Sequence, residues 1–142
     1  MRAPIAAVLL LITTGLAQAQ FDAQLTKNCL RIEFDAEVAK PLVGIWYSEA
    51  TDPRGFVNQM YSQFTADGVF DYQDRTCGAT GCSQNQGHGL YAINAQGDGN
   101  YYAARIFNDV QRTNACLGLQ FKVLDANTLQ LQDGSVMQRV QQ

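Results

Sequence analysis

"LGLQFKVLDANTLQLQDGSV", residues 117–136, decides the fold class of this 142-residue chain. Leu117, Leu119, Phe121 and Val123 alternate with Gly118, Gln120 and Lys122. Successive side chains of an extended chain point to opposite faces, so this period of two gives a strand with one apolar and one polar side. "DAN" then supplies turn residues, Thr128–Gln132 reads as the next strand, and Asp133-Gly134 turns the chain into Ser135–Val140. A two-residue loop at Asp133-Gly134 pairs Leu131 with Val136 and keeps both on the apolar face.

The same pattern runs back towards the N-terminus. Leu42–Glu49, Asn58–Thr65, Val69–Asp74, His88–Asn94 and Asn100–Asn108 read as strands, and Leu117–Leu124 follows them. The breaks between these six are "TDPRG", "ADG", "CGATGCSQNQG", "AQGDG" and "VQRTNA", all rich in turn residues. In "FTADGVF" a three-residue loop, Ala66-Asp67-Gly68 with Gly68 left-handed, sets Phe64 opposite Phe70 on one face. Eight short strands, most with one apolar face and with no long helix between them, define an all-β protein, a closed barrel or a sandwich. Helical spacing occurs only between Phe21 and Lys40, at Leu25, Cys29 and Ile32 and again at Phe34 and Val38, and Pro41 ends it. This stretch reads as an N-terminal arm or short helix resting on the main body.

The first residues read as a targeting segment. Arg2 is positive, Ile5 to Ile12 is apolar but too short to span a bilayer, and Ala17-Gln18-Ala19 has the small-x-small cleavage pattern. The expected organisation is a signal peptide over 1–19, an arm over 20–41 and a barrel domain over 42–142. No later apolar run is long enough for a membrane span, so the expected product is secreted or periplasmic. Lys and Arg number 10 against 13 Asp and Glu; without Arg2 the balance is 9 against 13, and the cations are scattered. A nucleic-acid partner needs a basic patch or stripe, and the sequence has none.

Cys29, Cys77, Cys82 and Cys116 all follow the targeting segment. An even number in a small exported protein predicts two disulfides, with three connectivities open. The glycines of "CGATGC" let the chain fold back between Cys77 and Cys82, which favours Cys77–Cys82 and leaves Cys29–Cys116. The competing assignment is a zinc site with Cys77, Cys82, His88 and Cys116 as ligands; an oxidising compartment favours the disulfides, and no metal or cofactor is expected.

Gly44-x-Trp46 at the start of the first strand, "FTADGVF" in the next hairpin and Arg139 in the last strand resemble the lipocalin-like, or calycin, pattern over roughly Leu42 to Val140. The resemblance implies an eight-stranded antiparallel up-and-down barrel in which Gly44 and Trp46 close one end and Arg139 packs on the tryptophan. The chain departs from true lipocalins in lacking their Thr-Asp-x-Tyr step, for which "RIFND" is a poor substitute. A bacterial family of metalloprotease inhibitors is similar too, with a small barrel, a Gly-x-Trp start and an N-terminal arm that enters the protease. Strand phase sets Arg139 on the face opposite Val136, so its packing on Trp46 requires a bend or bulge near the chain end.

Candidate chemistry is sparse. His88 is the single histidine, and its neighbours "NQGHGLY" carry no nucleophile, so a polar residue at a strand start is expected rather than a catalytic base. Asp71 shares parity with Val69 and Gln73 and is expected to face solvent, on the opposite face from Asp74. Gly97-Asp98-Gly99 reads as a hairpin turn. Phe64, Phe70, Tyr72, Tyr91, Tyr102 and Phe121 fall on inward positions, where they either fill the barrel or line a cavity for one small ligand. The expected function is non-catalytic binding of a small apolar or aromatic molecule. The alternative is an interaction module with a protein partner, such as a protease inhibitor acting through its N-terminal arm.

Overall fold

The computed structural model describes residues 23–109 and 115–141. The expected signal segment over 1–19 lies outside the described residues. Eight strands form one closed antiparallel barrel, each paired with its sequence neighbour and β1 with β8. They are β1 (Gly44–Thr51), β2 (Val57–Phe64), β3 (Val69–Gly78), β4 (Gly81–Gly97), β5 (Asn100–Asp109), β6 (Ala115–Asp125), β7 (Thr128–Leu131) and β8 (Val136–Arg139). The barrel is the up-and-down architecture expected from the sequence. Closure leaves no open sheet edge along the paired rows.

Three of the hairpins are built alike. Asp52 to Phe56, Thr65 to Val69 and Leu131 to Ser135 each enclose a three-residue loop, with the first residue's N–H donating to the last residue's carbonyl at 2.8–2.9 Å. In each, the third loop residue is a glycine in the left-handed region: Gly55, Gly68 and Gly134 have φ of 88°, 89° and 89°. Phe64 therefore stands opposite Phe70, as its turn chemistry predicts. The last hairpin corrects the two-residue reading of Asp133-Gly134. Gln130, not Leu131, pairs with Val136, and Leu129 pairs with Met137. Met137 then enters the core while Val136 stays 42% exposed. This one-residue change also removes the need for a bend before Arg139. Trp46 pairs directly with Arg139, on the face that Met137 shares.

"CGATGCSQNQG" is not a loop, contrary to its composition. β3 and β4 continue through it in register to a two-residue turn at Ala79-Thr80, with Cys77 opposite Cys82. Polar side chains read as loop on composition alone. Here the backbone ladder and the Cys77–Cys82 disulfide hold a hairpin whose β4 residues before Gly87 have no partner in β5. The other disulfide joins Cys29 to Cys116. The connectivity is the one expected, and because all four sulfurs are used, no thiolates remain for the alternative zinc set.

The arm is folded onto the barrel from Ala23 onward. Helix α1 (Ala23–Leu30) lies on the outside of β5 and is tied down at its end by Cys29. Helix α2 (Ala36–Ala39) starts at Asp35, whose carboxylate accepts from the Glu37 and Val38 N–H groups. That satisfies two of the N–H groups a helix start leaves open. Ala39 and Leu42 are fully buried, and Phe34 packs edge-on to Tyr91 at 5.4 Å. Among the described residues no helix is long and apolar enough to cross a membrane.

Candidate ligand-binding interior

One end of the barrel is plugged. Trp46 is fully buried, and its indole N–H donates to the Leu42 carbonyl at 2.7 Å. The Arg139 guanidinium lies 4.3 Å from the centre of the Trp46 ring. It also donates to the carbonyls of Ala126, Val43 and Pro41, at 2.9, 2.5 and 3.1 Å. One side chain thus joins the β6–β7 turn to the segment entering β1, and its charge is satisfied by carbonyl oxygens and a π face. Gly44 sits beneath it with φ 134°, and a Cβ there would overlap the guanidinium. The glycine two residues before the tryptophan makes room for the arginine.

Above the plug lies a belt of aromatic rings. Phe64 contacts Phe70 and Tyr91 at 4.9 and 5.1 Å, and Phe107 contacts Phe70 and Tyr72 at 5.7 and 5.2 Å. Edge-to-face and tilted ring pairs of this kind add to the burial of the rings themselves. The Tyr91 hydroxyl donates to the Thr65 carbonyl at 2.5 Å, and burial pushes its pKa upward. Five of the six aromatics read as inward-facing, Phe64, Phe70, Tyr72, Tyr91 and Phe121, are buried in the core.

Tyr102 is the exception. Tyr101 takes the inward position, stacked on Phe121 with ring centres 5.4 Å apart and packed against the core, while Tyr102 lies across Gly118 on the outer wall. The phase of β5 misleads because both of its faces are buried. α1 covers the outer face, where Ala104 and Ile106 are fully buried. Apolar residues therefore mark the outside of this strand, and the inner face carries Tyr101, Ala103, Arg105 and Phe107.

Arg105 is the inward-facing charge that the sequence conceals. Its guanidinium lies inside the barrel, 5.2 Å from the centre of Phe70 and 5.9 Å from that of Phe107. Its Nε is buried without a hydrogen-bond partner, and Arg105 forms no ion pair among the described residues. Burial pushes its pKa down to about 10, and it still carries its charge at neutral pH. Across the ladder from Arg105 stands Leu117, which has inward parity and yet is 43% exposed. The Leu117 side chain reaches solvent at that level, whereas the aromatic belt below it is closed. Towards the free end of the barrel the inner rows carry Ser48, Met60, Asp74 and Asn85 in register, all half-buried. The Asn85 side-chain amide donates to the Tyr72 hydroxyl at 3.4 Å, which fixes the ring edge next to this row.

Two further features lie away from Arg105 and the polar row. Asp71 is only 4% exposed, not solvated as its parity suggests, because His88 stands opposite it and bonds its carboxylate through Nδ1 at 2.5 Å. His88 lies in the middle of β4 rather than at a strand start, and no nucleophilic side chain is bonded to either residue among the described residues. A groove of about 260 Å³ near the plugged end runs over Tyr101 and Phe121 and is rimmed by Gln96, Gln120 and Gln132. No group of residues able to hold a metal ion occurs among the described residues. Comparison of the chain with family models, curated proteins and solved structures returns no match.

Proposed function

We propose that this barrel is an exported, secreted or periplasmic, binding protein that takes up a small apolar or aromatic molecule without transforming it. The observation that carries this reading is the contrast between the two ends. Trp46, Arg139 and α2 seal one end, whereas the inward-facing Leu117 is left 43% exposed above the aromatic belt. An eight-stranded barrel has room for one small ligand, and apolar walls with a few polar groups are the usual composition of such sites. Tyr72, Phe70 and Phe107 would supply the walls, with Phe64 and Tyr91 as the floor. The two disulfides fit an oxidising compartment. The alternative, an inhibitor acting through its N-terminal arm, has less to stand on, because from Ala23 onward that arm is committed to the barrel by Cys29, Phe34, Ala39 and Leu42.

Titration with N-phenyl-1-naphthylamine, an uncharged aromatic dye that brightens in apolar sites, tests the reading. Saturable one-to-one binding is expected, weakened by Tyr72→Ala and unchanged by His88→Ala. Absence of binding by folded protein would remove the proposal, and loss of binding in a folded His88→Ala variant would bring the Asp71–His88 pair back into consideration.

A further inference from the structure

We infer that the barrel interior is built for an organic anion, with Arg105 as the group that receives its carboxylate or sulfonate. This rests on the binding reading above and adds the charge of the ligand to it. The starting point is an imbalance. The cations and anions with defined roles elsewhere in the structure are matched: Arg139 by three carbonyls and a ring face, Arg54 by Asp52, Lys40 by Glu37. Arg105 stands apart from these. The residue is half-buried with its Nε wholly enclosed, its side chain makes no hydrogen bond or ion pair among the described residues, and two aromatic faces lie against it. Burying a charge is unfavourable unless it is paired, and ring faces compensate only part of the lost hydration. A guanidinium presents planar, paired N–H donors that fit a carboxylate or sulfonate, and such charge-assisted bonds strengthen away from water.

The surroundings define the rest of the ligand. Phe70 and Phe107 meet the guanidinium and Tyr72 packs against both rings, so a bound anion would have its body against aromatic rings. Leu117, directly across the ladder, provides an exposed apolar surface at the same level. The expected ligand is an aromatic or aliphatic organic acid, small enough for the space above a filled belt. If the arginine only served the fold, replacing it with an apolar side chain of similar length would lower stability. If it serves a ligand, the same replacement removes an uncompensated charge and leaves the empty protein as stable or more so.

A matched pair of dyes separates these cases. N-phenyl-1-naphthylamine and 8-anilinonaphthalene-1-sulfonate share one ring framework and differ by the sulfonate. The wild-type protein should bind the sulfonate about tenfold or more tightly, as expected for a hydrogen-bonded charge. Arg105→Met should bring the two affinities together while keeping binding of the neutral dye and a melting temperature no lower than wild type. Equal affinities in the wild type, a preference that survives Arg105→Met, or a folded but clearly less stable variant would each overturn the anchor role and leave the binding reading intact. Failure of both dyes to bind would instead remove the binding reading itself. Should Arg105→Met not fold, Arg105→Gln, which keeps a donor and loses the charge, reads the same preference.

Discussion

At the scale of single residues, the two half-buried arginines Arg105 and Arg139 show how context decides what a charge does. Arg139 is bonded on every side and ties three chain segments together at Trp46, whereas Arg105 is left with ring faces alone. The Trp46 site was legible in the sequence, because a tryptophan two residues after a glycine and an arginine near the end of the last strand are short, local signals. Arg105 was not, because its strand carries apolar residues on both faces and the arginine sits on the one that a reader assigns to solvent. Trp46→Ala should destabilise the protein by about 3–5 kcal/mol, the range for emptying a large buried aromatic site. Gly44→Ala should cost about 1–3 kcal/mol, since its φ of 134° is strained for any other residue and the guanidinium occupies the space of the new methyl. Chemical denaturation of both variants checks this; a Trp46→Ala midpoint equal to wild type would remove the plug from the account. Tyrosine ionisation gives an independent check. Burial, and then its hydrogen bond to Glu49, push the Tyr47 pKa up to about 12, and burial also raises Tyr61 and Tyr91. The unfolded chain loses these protons first as pH rises, so stability should fall between pH 10 and pH 12. Tyr47→Phe should flatten that fall, and thermal melts across the interval measure it.

At the scale of elements, the hairpins explain both what the sequence disclosed and what it hid. Asp67-Gly68 and Asp133-Gly134 belong to the same kind of turn, with a left-handed glycine in third place. Read that way, the first gives the observed pairing of Phe64 with Phe70; read as two residues, the second moves every β8 side chain to the wrong face. The Asp-Gly signal was present in both cases, and the two readings differ only in whether the residue before it, Ala66 or Gln132, belongs to the loop. The β3–β4 hairpin was hidden for a different reason. Its Ser, Asn, Gln and Gly residues have no apolar alternation to reveal, since beyond the aromatic belt the inner face is polar as well as the outer. Tyr101 and Tyr102 are adjacent, so either could have faced inward, and only the cover provided by α1 on the outer wall settles which. The β8 register yields a direct measurement. Met137→Ala should cost about 2–5 kcal/mol and Val136→Ala less than about 0.5 kcal/mol, because only the first removes buried side-chain volume. The reverse order, read from denaturant midpoints, would restore the two-residue turn.

At the scale of the whole molecule, the barrel is a graded structure, sealed and closely packed at the Trp46 end and progressively more polar and open at the other. β4 shows the gradient within one strand. Gly87 to Leu90 pair on both sides, with β3 and β5, while among the described residues Gly81 to Gln86 pair with β3 alone. Amide hydrogens in well-packed, doubly paired rows exchange only when the whole domain opens, whereas singly paired ends exchange through local opening. The amides of Trp46, Phe70 and Tyr91 should therefore exchange at the rate of global unfolding. Those of residues 81–86 that do not donate to β3 should exchange orders of magnitude faster, held back only by the hairpin and its Cys77–Cys82 link. A ligand seated above the aromatic belt would slow the rows around Arg105 and Leu117 further, since binding to the native state alone adds about 2.7 kcal/mol at a hundredfold excess over its dissociation constant. The Trp46 rows would change only through that global increase. Hydrogen exchange with and without the sulfonate dye resolves both effects residue by residue. Protection that is uniform along β4, or a ligand effect confined to the Trp46 end, would place the open face of the barrel on the wrong side.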